Sequence, residues 1–338
     1  MKKNNHISNF TKSIRQQICM ISLVLAFSTT LALAQDVHLS QFYSLPTYFN
    51  PAFTGATPHY RATVLYRNQW AGLPDYQFGT ASFDYNWTDA NSGIGGYFTY
   101  EKNTATGFQN MTFNGLYAFS FVITPKVQLR MGLQGTFGSR SIDLSNLIFQ
   151  DQLQNGGATA EKLPTSTVNF FDVSAGGVIY SKNLWLGVSA YHLTKPSLSL
   201  LGSADGLPWR MSAQVGGKFN LNPDQGDITL MPALLYLNQN SFQQLMLGTN
   251  VMIKPLIFGA WYRGFPLKGN TLGSINQDAL AFFAGFTANN WLVGYTYDLT
   301  ISSLRGSGGS HELCISFAPK FDDRLRRGTN HIPCPITF

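Results

Sequence analysis

From about residue 59 onward, hydrophobic and polar positions alternate with a period of two. Leu184, Leu186, Val188 and Ala190 fall on one side of such a run, with Trp185, Gly187, Ser189 and Tyr191 on the other. Val127, Leu129, Met131 and Leu133 alternate with Gln128, Arg130, Gly132 and Gln134. Met211, Ala213, Val215 and Phe219 alternate with Ser212, Gln214, Gly216 and Lys218, and Ala62, Val64 and Tyr66 with Arg61, Thr63 and Arg67. Successive side chains of a β-strand point to opposite faces, so each run is a strand with one apolar face, and its charges keep to the other. Turn signals divide the chain into fourteen predicted strands, near 59–71, 76–88, 92–104, 106–123, 127–143, 167–181, 184–196, 209–221, 228–240, 241–255, 256–265, 278–289, 291–302 and 310–320.

A soluble sandwich also alternates, so the connections carry the decision. The tightest, Thr124-Pro125-Lys126, Lys182-Asn183, Lys254-Pro255 and Asn289-Asn290, follow even-numbered strands. The longest, at 144–166, 197–208, 266–277 and 303–309, follow odd-numbered ones. Short turns at one end, long loops at the other and an even strand count describe an all-β transmembrane antiparallel barrel of the bacterial outer membrane. Closure is required there, because an unpaired strand edge in hydrocarbon has no water to bond. The apolar and aromatic face then meets outer-membrane lipid, and the Arg, Gln, Ser and Gly face lines the lumen. Trp87, Trp209 and Trp291, near strand ends, suit an interfacial girdle or ordinary packing. Pro232 inside the ninth strand implies a bulge or a displaced boundary.

Composition agrees. Only 12% of residues are charged and 14% are aromatic, a low charge density for a soluble enzyme surface. The one long apolar run, Ile18 to Leu33, follows Lys2, Lys3, Lys12 and Arg15 and ends in Ala32-Leu33-Ala34. This reads as a signal peptide over 1–34. Its removal lowers the formal charge of +6 by four cations, to +2, and with it any argument for nucleic-acid binding. Cys19 lacks the small residues of a lipoprotein anchor before it. Cys314 and Cys334 stay in the mature chain, and nothing in their spacing specifies a disulfide.

The barrel domain is expected over 59–320. A non-strand segment at 35–58, with three prolines, and a tail at 321–338 are expected to be periplasmic or tucked into the lumen. Across the closing seam, Arg67 and Glu312 come level near the outer end. They form either a luminal pair or two separately solvated charges.

Five His residues, at 38, 59, 192, 311 and 331, follow the leader without metal-ligand spacing. No nucleophile elbow or phosphate loop is present. Gly-rich stretches such as Ser92-Gly93-Ile94-Gly95-Gly96 lie in strands, where they ease bending and packing. A rim-sited hydrolase assembled from Asp205, Asp278 and His311 has no supporting pattern. The expectation is no catalytic residue, metal, cofactor or small-molecule substrate.

The mature N-terminus reads Gln35-Asp36-Val37-His38-Leu39-Ser40-Gln41-Phe42-Tyr43, then Tyr48-Phe49-Asn50-Pro51-Ala52-Phe53-Thr54-Gly55. With Arg67-Asn68-Gln69-Trp70, Tyr297-Asp298 and Gly309-Ser310-His311-Glu312, it resembles the PorP/SprF family of the type IX secretion system in Bacteroidetes. Cys314 in place of an aliphatic residue and the Cys334-Pro335-Ile336-Thr337-Phe338 ending depart from the family pattern. The resemblance implies an exported, non-catalytic outer-membrane barrel serving type IX secretion or gliding motility, with other secretion components or a secreted adhesin-like surface protein as partners. Gln41, Phe42, Tyr43, Asn50, Pro51 and Ala52 are then either a partner-docking surface or a plug that braces the barrel. A passive or substrate-specific porin, with 144–166 as its constriction, is the alternative function.

Overall fold

The computed structural model describes residues 36–72, 76–143, 153–154, 167–200, 206–222, 228–269, 275–302 and 305–319. The leader, the 321–338 tail with Cys334, Asp205 and all but two residues of 144–166 lie outside the described residues. Among the described residues fourteen strands follow one another: β1 (Tyr60–Gln69), β2 (Tyr76–Trp87), β3 (Ser92–Asn103), β4 (Phe108–Thr124), β5 (Val127–Ile142), β6 (Thr167–Tyr180) and β7 (Leu184–Tyr191). Next come β8 (Arg210–Gly217, resumed over Phe219–Asn220), β9 (Ile228–Gln239), β10 (Phe242–Ile253), β11 (Leu256–Gly269), β12 (Ile275–Ala288), β13 (Trp291–Thr300) and β14 (Ser310–Phe317). Each strand pairs antiparallel with the next. β14 returns to β1, with Ala62 opposite Phe317 and Gln69 opposite Ser310 at the ends of the ladder. The sheet is therefore a closed barrel without an edge in its wall, as the alternation predicts.

The faces follow the sequence pattern. On β1, Val64 and Tyr66 are 57% and 45% exposed, whereas Arg61, Thr63, Leu65 and Arg67 are buried. Trp87, Trp209 and Trp291 all lie exposed on the outer surface at strand ends. One expectation needs correction: the lumen is not lined only by polar residues. Met231, Ala233, Leu235 and Leu237 of β9 point inward and are buried, as are Ile257 and Trp261 of β11 and Phe283 of β12. Their partners are apolar side chains inside the barrel, described below.

Two stretches differ from the sequence reading, and one junction that agrees with it departs from the sorting of loop lengths. β7 stops at Tyr191 rather than near 196, because His192 adopts a left-handed φ of 63° and turns the chain. β11 and β12 extend to Gly269 and Ile275, through register shifts at Arg263/Gly264 and Phe265/Gly269, so most of the loop expected at 266–277 is strand. β9 and β10 are joined by a turn of only Asn240 and Ser241, an exception to the rule that long connections follow odd strands. Asn240 has φ 54°, a conformation Asn tolerates in tight hairpins. Pro232 causes no shift of register: β9 stays continuous against β10, and Ala233 and Leu230 keep one register toward β8. The neighbouring β8 ladder breaks at Lys218, whose amide bonds to the Asn183 carbonyl on the β7 side.

Candidate functional site: the filled lumen

Residues 37–57 occupy the interior of the barrel, and every residue from Leu39 to Thr57 is buried. Proline removes amides and fixes φ, so this segment cannot join a ladder. It forms two single-turn 3-10 helices, Pro46–Tyr48 and Pro51–Phe53, each with proline at its start. Irregular backbone in a dry interior needs hydrogen-bond partners from outside itself. The inward side chains of the wall supply them at two levels.

Near the outer end, a network of buried charges holds Ser40 and Gln41. Arg67 and Glu312 stand opposite each other in the β1–β14 ladder, and Arg67 Nη1 donates to Glu312 Oε2 at 2.9 Å. Arg67 Nη2 reaches Asp298 Oδ2 at 2.9 Å, which also accepts from Arg263 Nη1 at 2.9 Å. Arg263 Nε pairs with Asp278. The Glu312 carboxylate accepts the backbone amides of Ser40 at 3.0 Å and Gln41 at 2.7 Å, and the Gln41 side chain donates to the Glu312 carbonyl at 3.0 Å. Ser40 Oγ donates to Asp298 and accepts from both arginines. Two cations and three carboxylates are thus interlocked around one turn of the inner segment. Bonds to ionised partners of this kind are roughly twice as strong as neutral ones.

Lower in the barrel the contacts around Asn50 are neutral and close, and charged groups bind the segment on either side of it. Asn50 Oδ1 accepts from the Ala52 amide at 2.9 Å, while its Nδ2 donates to the carbonyls of Gly177 and Val188, both at 3.2 Å. The Phe49 carbonyl accepts from Ser189 Oγ, Ser212 Oγ and Gln214 Nε2 at 2.6, 3.2 and 3.1 Å. Tyr191 and Arg210 donate to the carbonyls of Thr47 and Tyr48. The Arg130 guanidinium bonds the Thr54 carbonyl, and Asp84 accepts the Gly55 amide at 3.0 Å while paired with Arg61. Here the wall itself gives way: a Cβ at Gly132 would overlap the Ala52 amide, one at Gly176 the Asn50 side chain, and one at Gly93 the Thr54 carbonyl.

Aromatic packing fills the space between these levels. Tyr43 stacks on Trp261 at 5.0 Å and meets Phe283 edge-on at 5.4 Å. Phe42 also packs edge-on against Trp261, and Phe53 against Trp185 at 5.1 Å. A residual cavity among Phe42, Phe49, Phe53 and Trp185 measures about 10 Å³, room for no more than a single water.

The inner segment thus brings together all six of its singled-out residues, and Arg67 and Glu312 with them. Sequence reasoning missed Arg263, Asp298 and Asp278 as parts of the same network, and Gly93, Gly132 and Gly176 as contact points. For all but Asp278 the available signal was phase, since each lies on the inward face of its strand; Asp278 is out of phase with inward Ala279, Ala281 and Phe283 and sits at the register shift between Arg263 and Gly264. Asp278 points into the network, whereas His311 lies on the outer surface, 2.6 Å from the Tyr295 hydroxyl. The two do not converge. Cys314 is a free, buried thiol.

A closed transmembrane sheet with an irregular segment packed in its lumen defines a plugged outer-membrane β-barrel. Among solved structures the chain is similar to the Pseudomonas putida toluene transporter TodX, with 10% identity and a TM-score of 0.48 over 86% of this chain and 96% of that one. It is also similar to Acinetobacter baumannii Omp33, with 9% identity and a TM-score of 0.44 over 78% and 100% of the two chains. No functionally curated protein matches it. The chain belongs to the PorP/SprF family of type IX secretion system membrane proteins, whose family model matches residues 32–317. It is accordingly a protein of the outer membrane.

Proposed function

We propose that this barrel works as a closed scaffold in type IX secretion and gliding motility, supporting the export or surface anchoring of a secreted adhesin-like protein or docking the secretion machinery. The observation that carries this reading is the burial of every residue from Leu39 to Thr57 inside the wall. A barrel filled in this way presents its surfaces, not its interior, to partners. Gln41, Phe42, Tyr43, Asn50, Pro51 and Ala52 then serve as the brace of the lumen rather than as a docking surface. The porin reading has no observation in its favour, since its lumen must conduct. Deletion of the gene, followed by complementation, tests the proposal: export of type IX cargo to the cell surface stops in the deletion strain and returns with the wild-type chain. Single-channel recording of the purified protein is expected to give no stable open state. A large steady conductance, together with normal export in the deletion strain, restores the porin.

A further inference from the structure

The β4–β5 hairpin of the wall outlasts its neighbour β3. The β3–β4 ladder ends where Ser92 faces Phe119, and beyond it the Ser120 amide donates to the Asn91 carbonyl at 2.8 Å. From Phe121 to Thr124, β4 pairs with β5 alone, with a register shift between Val122 and Thr124. Backbone groups two residues apart along a strand point the same way. The Val122 amide and carbonyl therefore face the β3 side, as Ser120 does, with no β3 residue opposite among the described residues. Phe121, Val122 and Ile123 at this edge are 46%, 68% and 54% exposed. The hairpin lies at the end of the barrel where β1 begins and β14 finishes, the periplasmic end of an outer-membrane barrel.

Lipid explains only part of that exposure. Val122 faces Gln128 across the β4–β5 ladder, and Gln128 is buried on the luminal side. Val122 thus hangs below the barrel mouth, on the face turned away from the bilayer. An exposed apolar residue beside an unpaired strand edge is a template for another strand. The base of the hairpin is tied to the inner segment. Arg130 bonds Ser120 Oγ at 2.9 Å with one nitrogen and the Thr54 carbonyl of the inner segment with another. A pre-ordered edge lowers the entropy lost on binding.

We propose that the β4 edge at Ser120–Thr124 is a docking site for an extended, alternately apolar segment of a periplasmic protein, which adds to the sheet as a strand. The exposed Lys126 at the turn favours an acidic residue at the end of that segment. The inference deepens the scaffold reading and rests on it.

The test uses the full protein in lipid nanodiscs and fluorescent 12-residue peptides tiling the periplasmic domains of the type IX machinery. At least one peptide is expected to bind, about tenfold more weakly to Val122→Pro, which lacks the amide, and equally to Val122→Thr. Assembly of each variant is checked by its heat-dependent mobility shift. Should Val122→Pro fail to assemble, the bound peptide is N-methylated at alternate residues and offered to the wild-type protein. One alternation is expected to abolish binding and the other to spare it. Failure of every peptide to bind, equal binding to Val122→Pro, indifference to N-methylation, or binding restored only by deleting 321–338 each overturns the proposal. In cells that need this chain for export, normal export by an assembled Val122→Pro variant defeats the docking site alone. Normal export without the chain defeats the scaffold reading beneath it.

Discussion

The two levels at which the inner segment is held solve one problem by opposite chemistry. At Ser40 and Gln41 the backbone amides meet the Glu312 carboxylate, with Arg67, Arg263 and Asp298 around it. Around Phe49 to Ala52 the partners named above are neutral, and charge returns beyond the 3-10 turn, where Arg130 bonds the Thr54 carbonyl and Asp84, paired with Arg61, accepts the Gly55 amide. Hydroxyl and amide donors of the wall reach the Phe49 carbonyl, the Asn50 side-chain amide donates to wall carbonyls, and glycines let the two backbones approach. A charged clamp is strong but unforgiving, because each ion has been taken out of water and depends on its partner. A neutral clamp divides its strength among many weak bonds and depends instead on shape. The outer clamp should therefore fail through the loss of one group, and the inner one through the addition of atoms.

The sharpest way to break the contrast is at Glu312. Glu312→Ala leaves Arg67 to share Asp298 with Arg263 and strands the Ser40 and Gln41 amides. Breaking one partner of a buried pair typically costs about 3–5 kcal/mol, whereas replacing both with apolar residues is far milder. Urea unfolding in micelles should show a loss of that size for Glu312→Ala and recovery of part of it in Arg67→Met/Glu312→Leu, the stranded Ser40 and Gln41 amides keeping the rest. If the single and double variants are equally destabilised, the charges do not act as a unit.

The inner clamp should respond to size. Gly132→Ala places a methyl group on the Ala52 amide, where no rotamer relieves the overlap. Overpacking of this kind costs roughly 1–3 kcal/mol. Gly115, one strand away, meets nothing within 4 Å if a Cβ is added. Gly115→Ala thus supplies the same methyl without the clash, and its unfolding midpoint should match the wild type. Equal losses at both positions would mean that strand conformation, not contact with the inner segment, sets the cost.

Much of this architecture is legible in the sequence, for reasons the two clamps make plain. Alternation is local, so Val64 and Tyr66 read as outward and Arg67 as inward without knowledge of any neighbour. The seam, too, can be counted, since the first and last strands fix which residues come level. What escapes is whatever depends on a third body. Gly93, Gly132 and Gly176 look like ordinary strand glycines until Thr54, Ala52 and Asn50 are set against them. The inward row of Met231, Leu235 and Leu237 likewise contradicts a wet lumen, and makes sense only once Phe42, Tyr43 and Phe49 are inside. Nor does periodicity report that a segment with three prolines will fold inward, because its partners come from strands up to 272 residues away in sequence.

Asn50 tests whether the neutral clamp has a centre. Its side chain bonds the wall twice and caps the following turn once. Asn50→Ala should cost about 1–2 kcal/mol, the range for an N-cap removed together with buried hydrogen bonds. Asn50→Asp is the more pointed variant: it keeps the cap but turns an oxygen toward the Gly177 and Val188 carbonyls. It should therefore be no better than alanine in the same unfolding measurement. A milder effect would assign Asn50 to the turn alone.

The smallest effect is expected at the Phe49 carbonyl, which has three donors for two lone pairs. Ser212→Ala removes the longest of the three bonds and leaves an acceptor still satisfied twice. Its cost should fall below about 0.5 kcal/mol, the lower end of the range for a lost hydrogen bond. Ser189→Ala removes the shortest, and it too should be mild while Gln214 and Ser212 remain. The double variant should cost more than the sum of the two, because only then does the carbonyl begin to lack partners. Strict additivity in urea midpoints would show that each donor acts alone, and the neutral clamp would lose the redundancy that separates it from the charged one.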